Sequence, residues 1–171
     1  TFTVSSSDGS LSNTQTLTVN ITGVNDTPTT ADKTITINED TATLLSVSDF
    51  GFSDIDKGSA LSSVKITSLA SDGTLEYNNG TSWVAVTLNQ EISVADITGN
   101  KLRFSPSLNE NGVTYSTFNF TVNDGTVDSS AKTITYNVTA VNDTPTVSNA
   151  IVDQSASVSN VFNFVIPVNS F

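Results

Sequence analysis

The chain has 171 residues, contains no cysteine and no histidine, and carries a net charge of −11. The missing residue types exclude disulfides, Cys- or His-ligated metals and a Ser-His-Asp triad. Nucleic acid and anionic membrane surfaces are not expected as partners, because both attract clustered Lys and Arg. No apolar run approaches the roughly 20 residues of a spanning helix, so we expect no membrane insertion.

An internal repeat runs through the chain. The segment Val24–Thr29 recurs identically as Val141–Thr146, which lies 117 residues further on. The residues before each copy also match, since Leu17–Thr22 resembles Ile134–Thr139 and Thr3-Val4 resembles Thr121-Val122. A six-residue identity supported by a matching hairpin indicates a tandem array of related domains.

The repeat predicts three pieces. Residues 1–27 are expected to be the last strands of a preceding repeat, 28–145 a complete repeat, and 146–171 the first strands of a truncated following domain. Pro28 and Pro145 stand at the junctions, where proline ends a strand and stiffens the crossing. The chain starts without Met or a signal segment, so we interpret it as part of a longer protein.

Hydrophobic residues in the complete repeat alternate with a period of two, as in Phe118 and Phe120. This pattern predicts an all-β fold, an immunoglobulin- or cadherin-like Greek-key sandwich. Asn78–Gly80 predicts a hairpin turn, and Ser93–Ile97 one helical turn with Ser93 as the N-cap. The predicted strands are Lys33–Ile37, Thr41–Val47, Ser63–Ser68, Thr74–Tyr77, Trp83–Thr87, Lys101–Phe104, Ser116–Val122 and Lys132–Val141.

Acidic residues occur in short clusters with Asn and Gly, a pattern that favours hard cations with oxygen ligands. The linker Val24–Pro28 resembles the cadherin linker, in which two Asx residues precede a proline. Asp54 and Asp56 resemble the cadherin Asp-x-Asp motif, and Asp124 resembles the aspartate of the cadherin Ala-x-Asp segment. Glu39 is similar to the early cadherin glutamate.

The segment Leu108–Asn111 lies where cadherins have Leu-Asp-Arg-Glu, with asparagines replacing two acidic residues. Thr34–Asp40, Asp49–Asp56 and Phe120–Gly125 together resemble cadherin-like and VCBS-type repeats of large bacterial RTX-like adhesins. Residues 146–171 resemble the start of a dystroglycan-type cadherin-like domain. The resemblance implies calcium at the junctions and an extracellular stalk, secreted by the type I route, that supports cell adhesion and biofilm formation.

The expected strand directions place these residues at two ends of the sandwich. The upper junction collects Asn25, Asp26, Asp54, Asp56 and Asp124. The lower junction collects Glu39, Glu110, Asn111, Asn142 and Asp143. Carboxylates crowded together repel one another unless a cation neutralises them, and Ca²⁺ suits such a ligand set better than Mg²⁺.

Three other interpretations stay open. Each acidic cluster by itself is also typical of a plain β-turn. A glycan- or protein-binding sandwich could use Asp54, Asp56 and Trp83, although Trp83 is a single aromatic residue. A glycosidase would need a carboxylate pair such as Asp54 and Asp56, but we expect no enzyme. The expected partners are neighbouring repeats of the same chain, and other copies if the protein forms a fibre.

Overall fold

The structure is a computed structural model, and it describes residues 1–145, 153, 155, 157–159, 161 and 163–166. Two compact units divide the chain, residues 1–140 and 141–171. The first unit contains eleven strands and two short helices. The second unit shows no helix or strand among its described residues. The predicted opening of a third domain at 146–171 falls, apart from isolated positions, outside the described residues.

The first unit contains a two-stranded hairpin and two larger sheets. The hairpin pairs β1 with β2, the five-stranded sheet has the order β3-β11-β10-β5-β8, and the four-stranded sheet has the order β4-β9-β6-β7. Every pairing is antiparallel except that of β3 with β11. The strands are β1 Phe2–Ser7, β2 Ser12–Leu17, β3 Lys33–Asn38, β4 Thr43–Leu44, β5 Ser63–Ile66, β6 Thr74–Asn78, β7 Trp83–Ala85, β8 Glu91–Ser93, β9 Leu102–Ser105, β10 Gly112–Asn123 and β11 Lys132–Thr139.

The core lies between the two larger sheets. Alternate residues of β10 and β11 point inward, so that Phe118, Phe120 and Tyr136 are fully buried. Phe104 of the opposite sheet stacks on Tyr136, with ring centroids 3.9 Å apart. This packing of two β-sheets around one core confirms the predicted all-β, immunoglobulin-like sandwich.

The predicted strand Thr41–Val47 is confirmed only in part. Only Thr43–Leu44 form β4, and a 3₁₀ helix follows at Val47–Phe50. The backbone N–H of Ser46 donates to Asp49 Oδ2 at 2.8 Å, and Gly51 ends the helix with a φ of 51°. The capping bonds of Ser46 and Asp49 therefore favour the 3₁₀ helix over an extended conformation at Val47.

Most other strand bounds differ from the predicted ones by one or two residues, and two differences are larger. β8 was not predicted, because it has only three residues and its pairing with β5 depends on tertiary packing of Ile92. β10 begins at Gly112, four residues before the predicted start. A change of register between Gly112 and Ser116 accompanies a left-handed φ of 53° at Thr114, so this β-bulge concealed the strand start from a period-two pattern.

Two local predictions are confirmed. Asn78 ends β6, and Asn79 and Gly80 lie in the turn to β7, where Gly80 takes the positive φ of 94°. Helix α1, Val94–Thr98, has Ser93 as its N-cap, and Ser93 Oγ accepts a hydrogen bond from the Asp96 N–H at 3.1 Å. Both features depend on neighbouring residues alone, which is why the sequence predicted them.

Candidate metal site where the linker meets the sandwich loops

The linker before the sandwich is fixed to one loop of the sandwich. Pro28 is buried. Thr29 pairs with Ser53 as an isolated antiparallel bridge, whose two N–H···O bonds measure 2.7 and 2.9 Å. These contacts hold Asn25 and Asp26, just before the proline, beside the loop that carries Asp54 and Asp56.

Hydrogen bonds organise the Asp54–Asp56 loop. Asp54 Oδ1 accepts from the Asp56 N–H at 2.8 Å, and Asp54 Oδ2 accepts from Ser59 Oγ at 2.9 Å. Asp56 Oδ2 accepts from the backbone N–H of Asp26 at 2.7 Å. The carboxylate of Asp56 therefore joins the linker to the loop. Ser59 had not been predicted, since a serine five residues after an aspartate is not a recognisable motif.

The turn between β10 and β11 brings Asp124 to the same place. Asp124 Oδ1 accepts from the N–H groups of Thr126 and Val127 at 2.7 and 2.8 Å, and Asp124 Oδ2 accepts from Asn25 Nδ2 at 2.9 Å. The bond from Val127, together with those from Asn25 and Thr126, lowers the pKa of the Asp124 carboxyl. Asp124 is therefore a carboxylate at neutral pH.

A salt bridge holds the base of this turn. Asp128 pairs with Lys65 on β5 and accepts from Asn123 Nδ2 at 2.6 Å. The Lys65 ammonium lowers the pKa of Asp128, as does the bond from Asn123. The turn that carries Asp124 is therefore anchored to the neighbouring strand as well as to β10.

Hydrogen bonds connect the five residues predicted for the upper junction, Asn25, Asp26, Asp54, Asp56 and Asp124, although Asp26 and Asp54 line one cleft and Asn25, Asp56 and Asp124 line another. An open cleft there is lined by Asn25, Asp56, Ser59 and Asp124, and also by Lys57. Among the described residues, no Lys or Arg forms an ion pair with any of the four aspartates. Neutral N–H and O–H groups donate hydrogen bonds to the carboxylates of Asp54, Asp56 and Asp124, and Lys57 is a basic residue in the lining of the cleft.

The residue types suit a calcium ion. Carboxylate and amide groups lie on three separate segments, and Ca²⁺ prefers six to eight oxygen ligands in flexible geometry. Among the described residues, no three of these aspartates bring carboxylate oxygens within 4.8 Å of one another, so their side chains would have to rotate towards a shared ion. Asn25 directs its Nδ2 towards Asp124 and towards the carbonyl of Asp26, the latter at 2.8 Å. Rotation of this side-chain amide by half a turn would present its oxygen instead, so Asn25 is able to contribute a ligand.

At the other end of the sandwich, the structure brings Glu39 and Asn111 together. Asn111 Nδ2 donates to Glu39 Oε2 at 2.8 Å, and Glu39 is buried. Asp40, which had not been predicted, accepts from the Asn109 N–H at 2.7 Å. Glu110 instead accepts from the Tyr115 hydroxyl at 3.0 Å.

The second linker repeats the local geometry of the first. Asn142 Nδ2 donates to the carbonyl of Asp143 at 3.2 Å, as Asn25 Nδ2 does to Asp26. Asn142 and Asp143 belong to the second unit, residues 141–171. The lower junction as a metal site therefore stays a prediction, as does the upper one.

The glycan-binding interpretation relied on Trp83. The guanidinium carbon of Arg103 lies 4.0 Å from the centroid of the Trp83 ring, and Arg103 Nε donates to Glu76 Oε2 at 2.7 Å. A cation held by a neighbouring carboxylate thus covers one face of the single tryptophan. This arrangement does not favour stacking of a sugar on Trp83.

Comparison with models of protein families gives a match. Residues 25–139 match the family model described as bacterial Ig domain, a span of about two thirds of the chain. No curated protein and no solved structure gives a match. Among the described residues, none of the helices combines the length and the apolar character needed to cross a membrane.

Proposed function

This chain belongs to the bacterial Ig domain family, and we propose that it is a calcium-stabilised extender, or stalk, of a large bacterial surface adhesin of the cadherin-like or VCBS type. Domains of this family are typically structural, non-catalytic modules of extracellular or surface proteins. Calcium binding and the role in adhesion are the parts that we add. The stalk would hold a distal binding module away from the cell.

One observation carries this proposal. The linker residues Asn25 and Asp26 are hydrogen-bonded to Asp124 and Asp56, which belong to two loops far apart in sequence. Such a cluster resists bending at the linker only while its like charges are neutralised. A Ca²⁺ ion shared by linker and loops would supply that charge and would oppose rotation about the linker.

The expected energies are large enough to matter. Extracellular calcium modules bind with a Kd of roughly 10⁻⁴–10⁻³ M. At a calcium concentration about 100 times Kd, one site adds about 2.7 kcal/mol to the free energy of unfolding. The free energy of unfolding of a whole domain is about 5–15 kcal/mol. Loss of the ion should therefore lower the melting temperature visibly.

The proposed stiffening of the linker also indicates what this chain binds. Neighbouring repeats of the same chain are the primary partners, because the linker ligands lie between successive domains. Other copies of the chain in a fibre are a second kind of partner. Secretion by the type I route and a role in biofilm formation follow from the resemblance to RTX-like adhesins.

Chelation tests the proposal. We expect EDTA to lower the melting temperature of the sandwich by about 10 °C relative to millimolar Ca²⁺, and to speed amide exchange at residues 23–29. Asp124→Asn should remove most of the calcium effect, because an asparagine oxygen can still cap the turn but carries no charge. Asp8→Asn is the matched control, since Asp8 caps a similar turn in the β1–β2 hairpin.

Two results would contradict the proposal. The first is a melting curve that EDTA does not change, with amide exchange at the linker also unchanged. The second is an equal loss of the calcium effect in Asp124→Asn and Asp8→Asn, which would indicate nonspecific screening of the net negative charge.

A further inference from the structure

The β1–β2 hairpin has one apolar face and one polar face. Phe2, Val4 and Leu17 lie on the apolar face and are 65%, 61% and 57% exposed. Thr3 and Thr16, which pair across the strands, lie on the other face. Val19 and Ile21 continue the apolar alternation beyond β2 and are also exposed. We call Phe2, Val4, Leu17, Val19 and Ile21 the hairpin face.

The hairpin contains the same series of pairs as the hairpin formed by β10 and β11, although the segment between the paired residues is one residue longer in the second hairpin. Phe2 pairs with Leu17 as Phe118 pairs with Ile134. The next two pairs also correspond: Thr3 with Thr16 to Asn119 with Thr133, and Val4 with Gln15 to Phe120 with Lys132. Val4 is therefore equivalent to Phe120. The sequence comparison matched Thr3-Val4 with Thr121-Val122, and the strand pairing shifts this match by two residues.

The turns of the two hairpins also agree. Asp8 Oδ1 accepts from the N–H groups of Ser10 and Leu11 at 2.9 and 2.8 Å, two and three residues ahead. Asp124 Oδ1 makes the same two bonds to the residues two and three positions ahead of it. The glycine that follows has a φ of 96° in the first turn and 101° in the second.

In the complete sandwich the equivalent face is fully covered. Phe118, Phe120 and Ile134 have no exposed surface. Residues from the segments before β10 cover this face; for example, the Phe50 ring meets Phe120 edge-on at 5.1 Å. A hairpin with corresponding strand pairs, the same turn and the same apolar pattern therefore needs another apolar surface to cover its face.

We propose that the hairpin face is the core face of a second immunoglobulin-like sandwich, and that its partner is the set of strands equivalent to β3–β9 of a neighbouring repeat. The proposal deepens the proposed function, because it rests on a tandem arrangement of repeats. It does not depend on calcium. The partner is identified by its chemistry as an apolar sheet face missing its last two strands.

A fusion tests this assignment. Residues 28–116 are placed directly before Thr1, so that residues 1–22 follow as the closing hairpin of a new sandwich. Val4→Cys supplies a unique thiol, because the chain has no cysteine. In EDTA, we expect thiol labelling and amide exchange of the hairpin to slow by about a thousandfold relative to the 171-residue chain. Leu17→Asp should abolish this protection, whereas Thr16→Asp, on the polar face, should leave it in place.

A second fusion, in which residues 117–139 replace 1–22, shows whether the junction permits folding. If that hairpin is protected and the hairpin of residues 1–22 is not, the proposal is wrong. It is also wrong if Val4→Cys is already protected in the 171-residue chain, because another surface or a second copy would then cover the face. Calcium dependence plays no part in either readout, so failure of the metal proposal would leave this result unaffected.

Discussion

A carboxylate that caps its own turn with one oxygen has a second oxygen free for another partner. Asp8 and Asp124 make the same pair of backbone hydrogen bonds. They differ in the second oxygen, which in Asp124 accepts from Asn25 of the linker. At the residue scale, the role of an aspartate in this chain is therefore set by what the fold brings to its second oxygen.

Tyr136 shows the opposite case, a buried polar atom without a partner. Its hydroxyl is enclosed and, among the described residues, has no hydrogen-bond partner. Burial raises the pKa of Tyr136, and the charge of Asp49 raises it further. We expect Tyr136→Phe to raise the free energy of unfolding by about 1 kcal/mol, because an unsatisfied buried hydroxyl is removed while the stacking on Phe104 is kept.

Urea denaturation measures this change. Tyr136→Leu is the control, since it removes the hydroxyl and also the ring that stacks on Phe104, and it should destabilise the sandwich. If Tyr136→Phe were destabilising, the hydroxyl would have a partner in solution, such as a water molecule bound between it and Asp49.

At the scale of single elements, the turn before β6 requires a glycine. Gly73 has a φ of 63°, and a Cβ at this position would lie 2.7 Å from the Ser105 carbonyl oxygen and 2.8 Å from Phe104 Cζ. We expect Gly73→Ala to lower the free energy of unfolding by about 2 kcal/mol or more, because backbone strain and steric overlap add.

Gly80→Ala separates the two causes. Gly80 also has a positive φ, 94°, but a Cβ there would meet nothing within 4 Å. Gly80→Ala should therefore lower the free energy of unfolding by the backbone strain alone, about 1 kcal/mol. Equal losses in the two variants, measured by chemical denaturation, would contradict the role assigned to close packing against β9.

The elements that the sequence predicted share a local cause. The alternation around Phe118, the Asn78–Gly80 turn and the Ser93 cap each depend on residues within a few positions of one another. β8 and the early start of β10 could not be predicted in this way. Ile92 forms a strand because β5 offers it an edge, and Thr114 takes its left-handed φ within a bulge that only the partner strand defines.

The same distinction holds for the candidate site. Asp54, Asp56 and Asp124 were predicted from their resemblance to cadherin motifs, and strand direction placed their loops at one end of the sandwich. Ser59 and Asp40 were not predicted. They contribute through hydrogen bonds to Asp54 and to the Asn109 N–H, contacts that have no sequence signature.

For the whole molecule, the distribution of charge predicts how stability depends on pH. Lys101 lowers the pKa of Asp96, the Val127 N–H lowers that of Asp124, and Lys65 lowers that of Asp128. Each carboxylate therefore contributes stability that is present above about pH 4 and is lost as the pH falls through its lowered pKa.

In turn, Asp128 raises the pKa of Lys65 and Asp96 raises that of Lys101. The contributions of these lysines are lost only as the pH rises beyond about 10.

These opposite shifts predict a plateau of stability between about pH 5 and pH 10, with a fall on either side. Urea denaturation in EDTA at pH 3, 6 and 11 should show the lowest midpoints at the two extremes. Asp128→Asn removes one of the lowered carboxylates and the charge that faces Lys65, so it should make both falls shallower. Asp8→Asn is the control, because Asp8 also has a lowered pKa but lies in the hairpin. An acid fall that Asp128→Asn leaves unchanged would show that the Asp128–Lys65 pair does not stabilise the sandwich.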